Sequence, residues 1–206
     1  FDRAFTADVD LLEAEQSLQP ADYSELSYTE AFDALVDQMR REYSFTEYKG
    51  IDWDALYAEF APRFAEAEAN NDAEAYQFAL RDFTWSIPDG HVGANLPLTS
   101  QAFVDETDGS LGIAIRELDD GRAIVNYLVE GSPAAEAGFE LGTEIIAFDG
   151  VPIADAISAI QPWSAPFSTP HSLRLQQMRY VTRFALGIDV EVTYRNPGDS
   201  EDQTVT

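Results

Sequence analysis

Apolar residues recur along this chain with two different periods. From 27 to 83 the period is helical. Ser27-Tyr28-Thr29-Glu30 has the hydroxyl and carboxylate spacing of a capping box, and Phe32, Leu35, Val36, Met39 and Tyr43 follow on one face. Asp52 stands where a second cap belongs, ahead of Trp53, Leu56, Tyr57, Phe60 and Phe64. Pro62 falls inside that stripe and is expected to bend or shorten the helix. Asp72 is placed to cap a third helix, with Tyr76, Ala79, Leu80 and Phe83 inward. Three amphipathic helices with aromatic stripes predict a small bundle, the aromatics being its core.

Beyond residue 109 the period shortens to two. Gly109-Ser110-Leu111-Gly112 reads as a turn and loop that runs into an alternating strand, Ile113-Ala114-Ile115-Arg116. Ala123 to Val129 reads as the second strand. Ser132-Pro133 opens a short helix that Gly138 stops, and Thr143 to Phe148 with the Asp149-Gly150 turn makes a hairpin. Ala154 to Ile160 suggests another short helix. His171 to Leu186, closed by Gly187, predicts a longer one, and Ile188 to Tyr194 a late strand. Gln203 to Thr206 has the look of a strand cut short, as if the chain continued into another unit. Which helix walls the sheet, and whether the Pro- and aromatic-rich loop 161–170 is a lid or a packed insertion, stays open at this level.

The loop at 111–113 carries the clearest chemistry. Glycine at 112 permits close backbone approach, and successive amides in such a turn can converge on one anionic group, forming a carboxylate nest. The loop, the second strand, the Ser132-Pro133-Ala134 helix and the hairpin, in that order, resemble a PDZ domain of the bacterial protease type over roughly residues 105–195. Thr143 departs from that pattern, which usually has Asp after the glycine. The resemblance implies that Leu111, Gly112, Ile113, Ala114, Ile115 and Arg116 bind a peptide's C-terminal tail. Leu111, Ile113 and Ile115 are expected to line its apolar pocket, and Arg116 to be the one nearby cation.

A second resemblance rests on Tyr43, then Lys49-Gly50-Ile51-Asp52-Trp53, then Asp89-Gly90-His91 ahead of the PDZ-like part. This arrangement resembles the front half of carboxyl-terminal processing, or tail-specific, serine peptidases, including tricorn-like relatives, over about residues 26–206. In that family the helical and PDZ parts precede an α/β core bearing a serine nucleophile and a lysine base. Residues 1–24 mix acidic and small residues without sustained periodicity and read as a linker or mobile arm, and the resemblance implies an α+β chain after them: a helical domain at 25–98, and a PDZ-like, partly open β-barrel or sandwich with helices at 99–206. It implies a substrate-recognition and gating portion, inactive by itself, whose partners are C-terminal tails and the catalytic core of the same chain. The alternative is a non-catalytic PDZ adaptor or scaffold of the cell envelope.

Composition narrows the options. The net charge is −26, from 38 acidic against 12 basic residues, and Lys49 is the only lysine. Such a surface repels nucleic acid and anionic lipid, so neither is an expected partner. Spread-out carboxylates with so little lysine suit either a saline habitat or an ordinary acidic exported protein. No cysteine is present and no apolar run is long enough to span a bilayer, which agrees with an exported protein, periplasmic, cell-surface or extracellular, that is not itself inserted in a membrane, with an anchor upstream of Phe1 left open. The start at Phe1, without Met, suggests a trimmed or mature segment. No catalytic residue is assigned. Lys49 lies in the helical motif, where a structural contact is expected, and Asp89 and His91 are expected to hold a turn. With only two histidines, His91 and His171, neither a metal site nor a cofactor is expected.

Overall fold

A computed structural model describes residues 21–206; the predicted arm at 1–24 falls almost wholly outside them. The described part begins with α1 (Tyr28–Glu42), whose capping box is formed in both directions. Ser27 Oγ accepts from the Glu30 amide at 3.4 Å, and the Glu30 carboxylate accepts from the Ser27 amide at 3.0 Å. The one-turn helix α2 (Thr46–Lys49) follows, and then α3 (Trp53–Ala69) and α4 (Ala73–Trp85), capped by Asp52 and Asp72 as expected.

The aromatic stripes meet in one core. Phe32 stacks on Phe64 with ring centroids 3.9 Å apart, and meets Phe83 edge-on at 5.1 Å. Phe32, Phe60, Phe64, Phe83 and Ile87 are buried, each stabilising the bundle by about 1.5–3 kcal/mol. Pro62 does not end α3, which runs on to Ala69. The proline is on the exposed face, where water can satisfy the carbonyl it leaves unpaired, while Phe60 and Phe64 hold the buried face.

A 3₁₀ turn (Pro97–Thr99) and α5 (Ser100–Thr107) lead to the sheet region. Its elements are β1 (Gly109–Ser110), β2 (Ile113–Glu117), β3 (Ala123–Leu128), α6 (Pro133–Glu136), β4 (Glu144–Phe148), β5 (Val151–Pro152), α7 (Ile153–Ala159), α8 (Pro170–Tyr180), β6 (Arg183–Phe184), β7 (Val192–Arg195) and β8 (Gln203–Val205). The main sheet is antiparallel in the order β2-β3-β4-β7-β8, with β5 paired to β4. β1 and β6 form a separate two-stranded ribbon. Both sheets are open rather than closed into a barrel, which leaves β2 at an edge of the main one. Ile113, Ile115, Val125, Ile145, Val192 and Tyr194 fill the core from the sheet side, and Ile157 and Met178 from α7 and α8. Among the described residues no helix is long and apolar enough to cross a membrane.

Two expected boundaries move. The long helix ends at Tyr180 instead of continuing to Leu186. Arg183 and Phe184 pair with Ser110 and Gly109, and a Cβ on Gly109 would stand 2.8 Å from the Phe184 carbonyl oxygen. That pairing across the chain overrides the local helical preference. The late strand begins at Val192, not Ile188, although the alternation keeps its phase, since Val190, Val192 and Tyr194 are all buried.

Candidate functional site

β2 is hydrogen-bonded to β3 on one side, with a bulge between Ala114 and Ile115, and among the described residues no strand covers the other. Helix α8 faces that open edge and leaves a groove of about 390 Å³ between them. The helix is fixed from several directions. The Arg174 guanidinium grips Glu117 through two hydrogen bonds, 2.8 and 2.6 Å, and reaches Ser158 Oγ at 3.0 Å. Gln177 donates to the carbonyls of Ser158 and Ile160 at 3.2 and 3.1 Å. The hydrogen bonds from Arg174 hold the Glu117 carboxyl below the usual glutamate range, against a smaller opposing effect of burial.

Along the groove the six predicted residues divide by side-chain direction. Ala114 and Arg116 are exposed, whereas Ile113 and Ile115 are core residues. Leu111 packs against that core, its carbonyl accepting from the Ala134 amide at 3.1 Å, and is absent from the groove lining. Ile113 and Ile115 line the groove from β2, and Leu175 and Met178 of α8 form the facing apolar wall. Gly112 has φ +78°, and a Cβ there would lie 2.2 Å from Ser132 Cβ. The close approach that requires glycine is therefore to the chain's own α6 cap. The Gly112 carbonyl accepts from Val129 at 2.8 Å, and its amide donates to Ser110 Oγ at 3.1 Å. The nest foreseen at 111–113 thus already holds a hydroxyl oxygen.

Arg116 is not the sole cation. Arg179 and Arg183 also line the groove, and among the described residues no Asp or Glu does. The signal for Arg179 was its spacing of four from Leu175, which α8 turns into one face, whereas Arg183 lies beyond the helix, on β6, and had no local signal.

Asp89 is the hub of a second cluster. Tyr43 Oη donates to one carboxylate oxygen at 2.7 Å. The other accepts from the His91 amide at 3.0 Å and approaches His91 Nδ1 at 2.9 Å and Ser168 Oγ at 3.4 Å. Ser168 Oγ in turn accepts from the Gly90 amide at 2.9 Å, which ties loop 161–170 to the helical region. Nearby, Lys49 Nζ donates to the Pro88 carbonyl at 2.8 Å, the structural contact expected of it. The Tyr43 bond, then the His91 contacts, hold the Asp89 carboxyl far below the usual aspartate range. Burial, reinforced by Asp89, pushes the Tyr43 hydroxyl up to about 12. Serine, aspartate and histidine meet here in an unproductive order, because in a catalytic triad the histidine bridges nucleophile and carboxylate. Loop 161–170 is a packed insertion rather than a free flap. Trp163 donates to Glu106 at 2.7 Å, and the Arg81 guanidinium lies 4.5 Å from the Trp85 ring and 4.7 Å from that of Trp163.

The Tricorn protease C1 domain family model matches residues 24–74. Among solved structures, mature CPAF superposes with a TM-score of 0.55 at 16% identity, over 87% of this chain and 34% of that one. Mature CPAF complexed with lactacystin gives 0.56 at 14% identity over the same shares. A photosystem II D1 C-terminal processing protease covers 87% of the chain and 42% of its own length at 19% identity, but superposes loosely, at 0.35. No curated protein matches the chain. The chain spans about a third of the length of CPAF, and what it shares with it is a fold.

Proposed function

We propose that the chain is the substrate-recognition and gating portion of an exported carboxyl-terminal processing serine peptidase. In this reading a helical domain (25–98) precedes a PDZ-like domain (99–206) that receives protein C-termini. One observation carries it: the uncovered edge of β2 faces α8 across a groove. An extended tail can add there as a further antiparallel strand, its main chain bonding to β2 and its side chains meeting Leu175 and Met178. The terminal carboxylate reaches the 111–113 loop and replaces Ser110 Oγ at the Gly112 amide. A charged acceptor makes a hydrogen bond roughly twice as strong as a neutral one, so the exchange is favourable.

Catalysis belongs to residues other than those described. Lys49 is committed to Pro88, and the Ser168, Asp89 and His91 cluster lacks a base placed to take the serine proton. The tails would come from proteins of the same exported compartment.

A titration of the chain with labelled decapeptides ending in a small apolar residue tests the reading. Affinity on the order of micromolar is expected for the free acid, since few side chains anchor a flexible tail. C-terminal amidation should weaken it at least tenfold. Equal binding of acid and amide would show that the loop is no carboxylate site.

A further inference from the structure

We infer that the groove between β2 and α8 selects tails carrying acidic residues just upstream of the C-terminus. This rests on the tail-binding reading above and adds a specificity to it.

The observation is a local inversion of charge. A 14-residue patch drawn from a chain with 38 acidic and 12 basic residues in 206 holds about three carboxylates and about one cation. Among the described residues the groove lining holds three arginines, Arg116, Arg179 and Arg183, and no carboxylate. These three are also unspent. Arg40, Arg63, Arg81, Arg122, Arg174 and Arg195 each hold an Asp or Glu, while none of the groove arginines joins an ion pair among the described residues. Arg183 has one weak contact, to the Thr107 carbonyl at 3.5 Å. The nearest carboxylate on β2, Glu117, is neutralised by Arg174 and so leaves the charge of Arg116 intact.

The arginines are spread along the direction a tail would take. Arg183 is the strand partner of Ser110 and stands at the loop end, beside the terminal carboxylate. Arg116 lies three residues along β2 from Ile113, about 10 Å at the usual strand rise. Arg179 stands on the helical wall, in the last turn of α8. An antiparallel tail thus brings the residues roughly third and fourth from its end beside Arg116 and Arg179.

The overall charge of −26 opposes an acidic ligand, but its reach is short. At physiological ionic strength the screening length is about 8 Å, so carboxylates elsewhere on the surface fade while arginines in contact do not. Each exposed pair contributes modestly, and two together should give about a three- to tenfold preference.

The test uses three labelled peptides with the same free apolar C-terminus and Glu, Gln or Lys at the third and fourth positions from the end. Fluorescence anisotropy with the whole chain at about 0.15 M salt should rank Glu above Gln above Lys, with the ratios collapsing near 1 M. The double substitution Arg116→Gln with Arg179→Gln should bring the Glu to Gln ratio close to one. Equal affinity for all three, or a preference for Lys, overturns the selectivity, while weak binding of the amidated form still upholds the tail reading. If no free-acid peptide binds, both fall together.

Discussion

The Asp89 cluster and the β2–α8 groove both gather polar and charged side chains and treat them in opposite ways. Around Asp89 the carboxylate takes donors from Tyr43 and His91, with Ser168 in reach, and Lys49 and Gly90 are tied down beside it. At the groove a strand edge, three arginines and an exposed serine face outward with little to hold. Residues that resemble a catalytic set on paper can be fully occupied in keeping a turn, whereas function is left to groups whose hydrogen-bonding and charge are unspent. The polar hub is therefore expected to govern stability, and the groove to govern binding.

Gly112→Val tests this boundary with the largest expected effect. Although Gly112 edges the groove, its missing Cβ makes room for Ser132, and its φ is +78°. Left-handed backbone and overpacking together should cost about 3 kcal/mol. For a chain of this size that lowers the melting temperature by roughly 6–12 °C. Calorimetry showing an unchanged melting temperature, with tail binding gone, would mean that the glycine serves a ligand instead of the fold.

Asp89→Ala comes next. Removing a charged acceptor shared by several donors should cost about 2 kcal/mol, or roughly 4–8 °C, with tail affinity unchanged. The penalty should depend on pH at both ends. The Asp89 carboxyl is depressed in the folded chain, so its contribution is complete above the ordinary aspartate value of 3.8 and is lost as pH falls below it. Tyr43 is raised from 10.0 to about 12, so its contribution is complete below 10 and fades as pH rises through that interval. The difference in melting temperature between the parent chain and the variant should be flat between those limits and narrow beyond them. A difference that stayed constant down to about pH 2 would show that the carboxylate's charge is not what the cluster uses.

These contrasts also mark what was legible beforehand. The three capped helices and their aromatic core follow from spacing within one helix, where Phe32, Phe60, Phe64 and Phe83 leave little freedom. β2 and its loop follow from local alternation and a glycine. The end of α8 does not, because it is decided by Gly109 receiving Phe184 from far along the chain. Arg183 was hidden for the same reason, since its place is set by pairing with Ser110, and the aim of Arg179 depends on how Arg174 and Gln177 seat α8 against Glu117 and Ser158. Thr143, the one departure from the expected pattern, accepts from Glu140 at 2.8 Å and donates to Asn196 at 2.5 Å, a partner 53 residues away.

Ser110→Ala should have the smallest effect on the fold and the most pointed one on the groove. Ser110 is exposed, and its hydroxyl holds the Gly112 amide at 3.1 Å. Water can take over that amide when the hydroxyl is removed, so stability should change by no more than about 0.5 kcal/mol. Binding should respond more, because an incoming carboxylate no longer has to displace an oxygen already in place. A two- to threefold tighter affinity for free-acid tails is expected, on the order of 0.5 kcal/mol, with no gain for amidated ones. Several-fold weaker binding would instead make the hydroxyl a donor to the carboxylate. No change for either peptide would move the terminal carboxylate away from Gly112, toward Arg183 on the neighbouring ribbon.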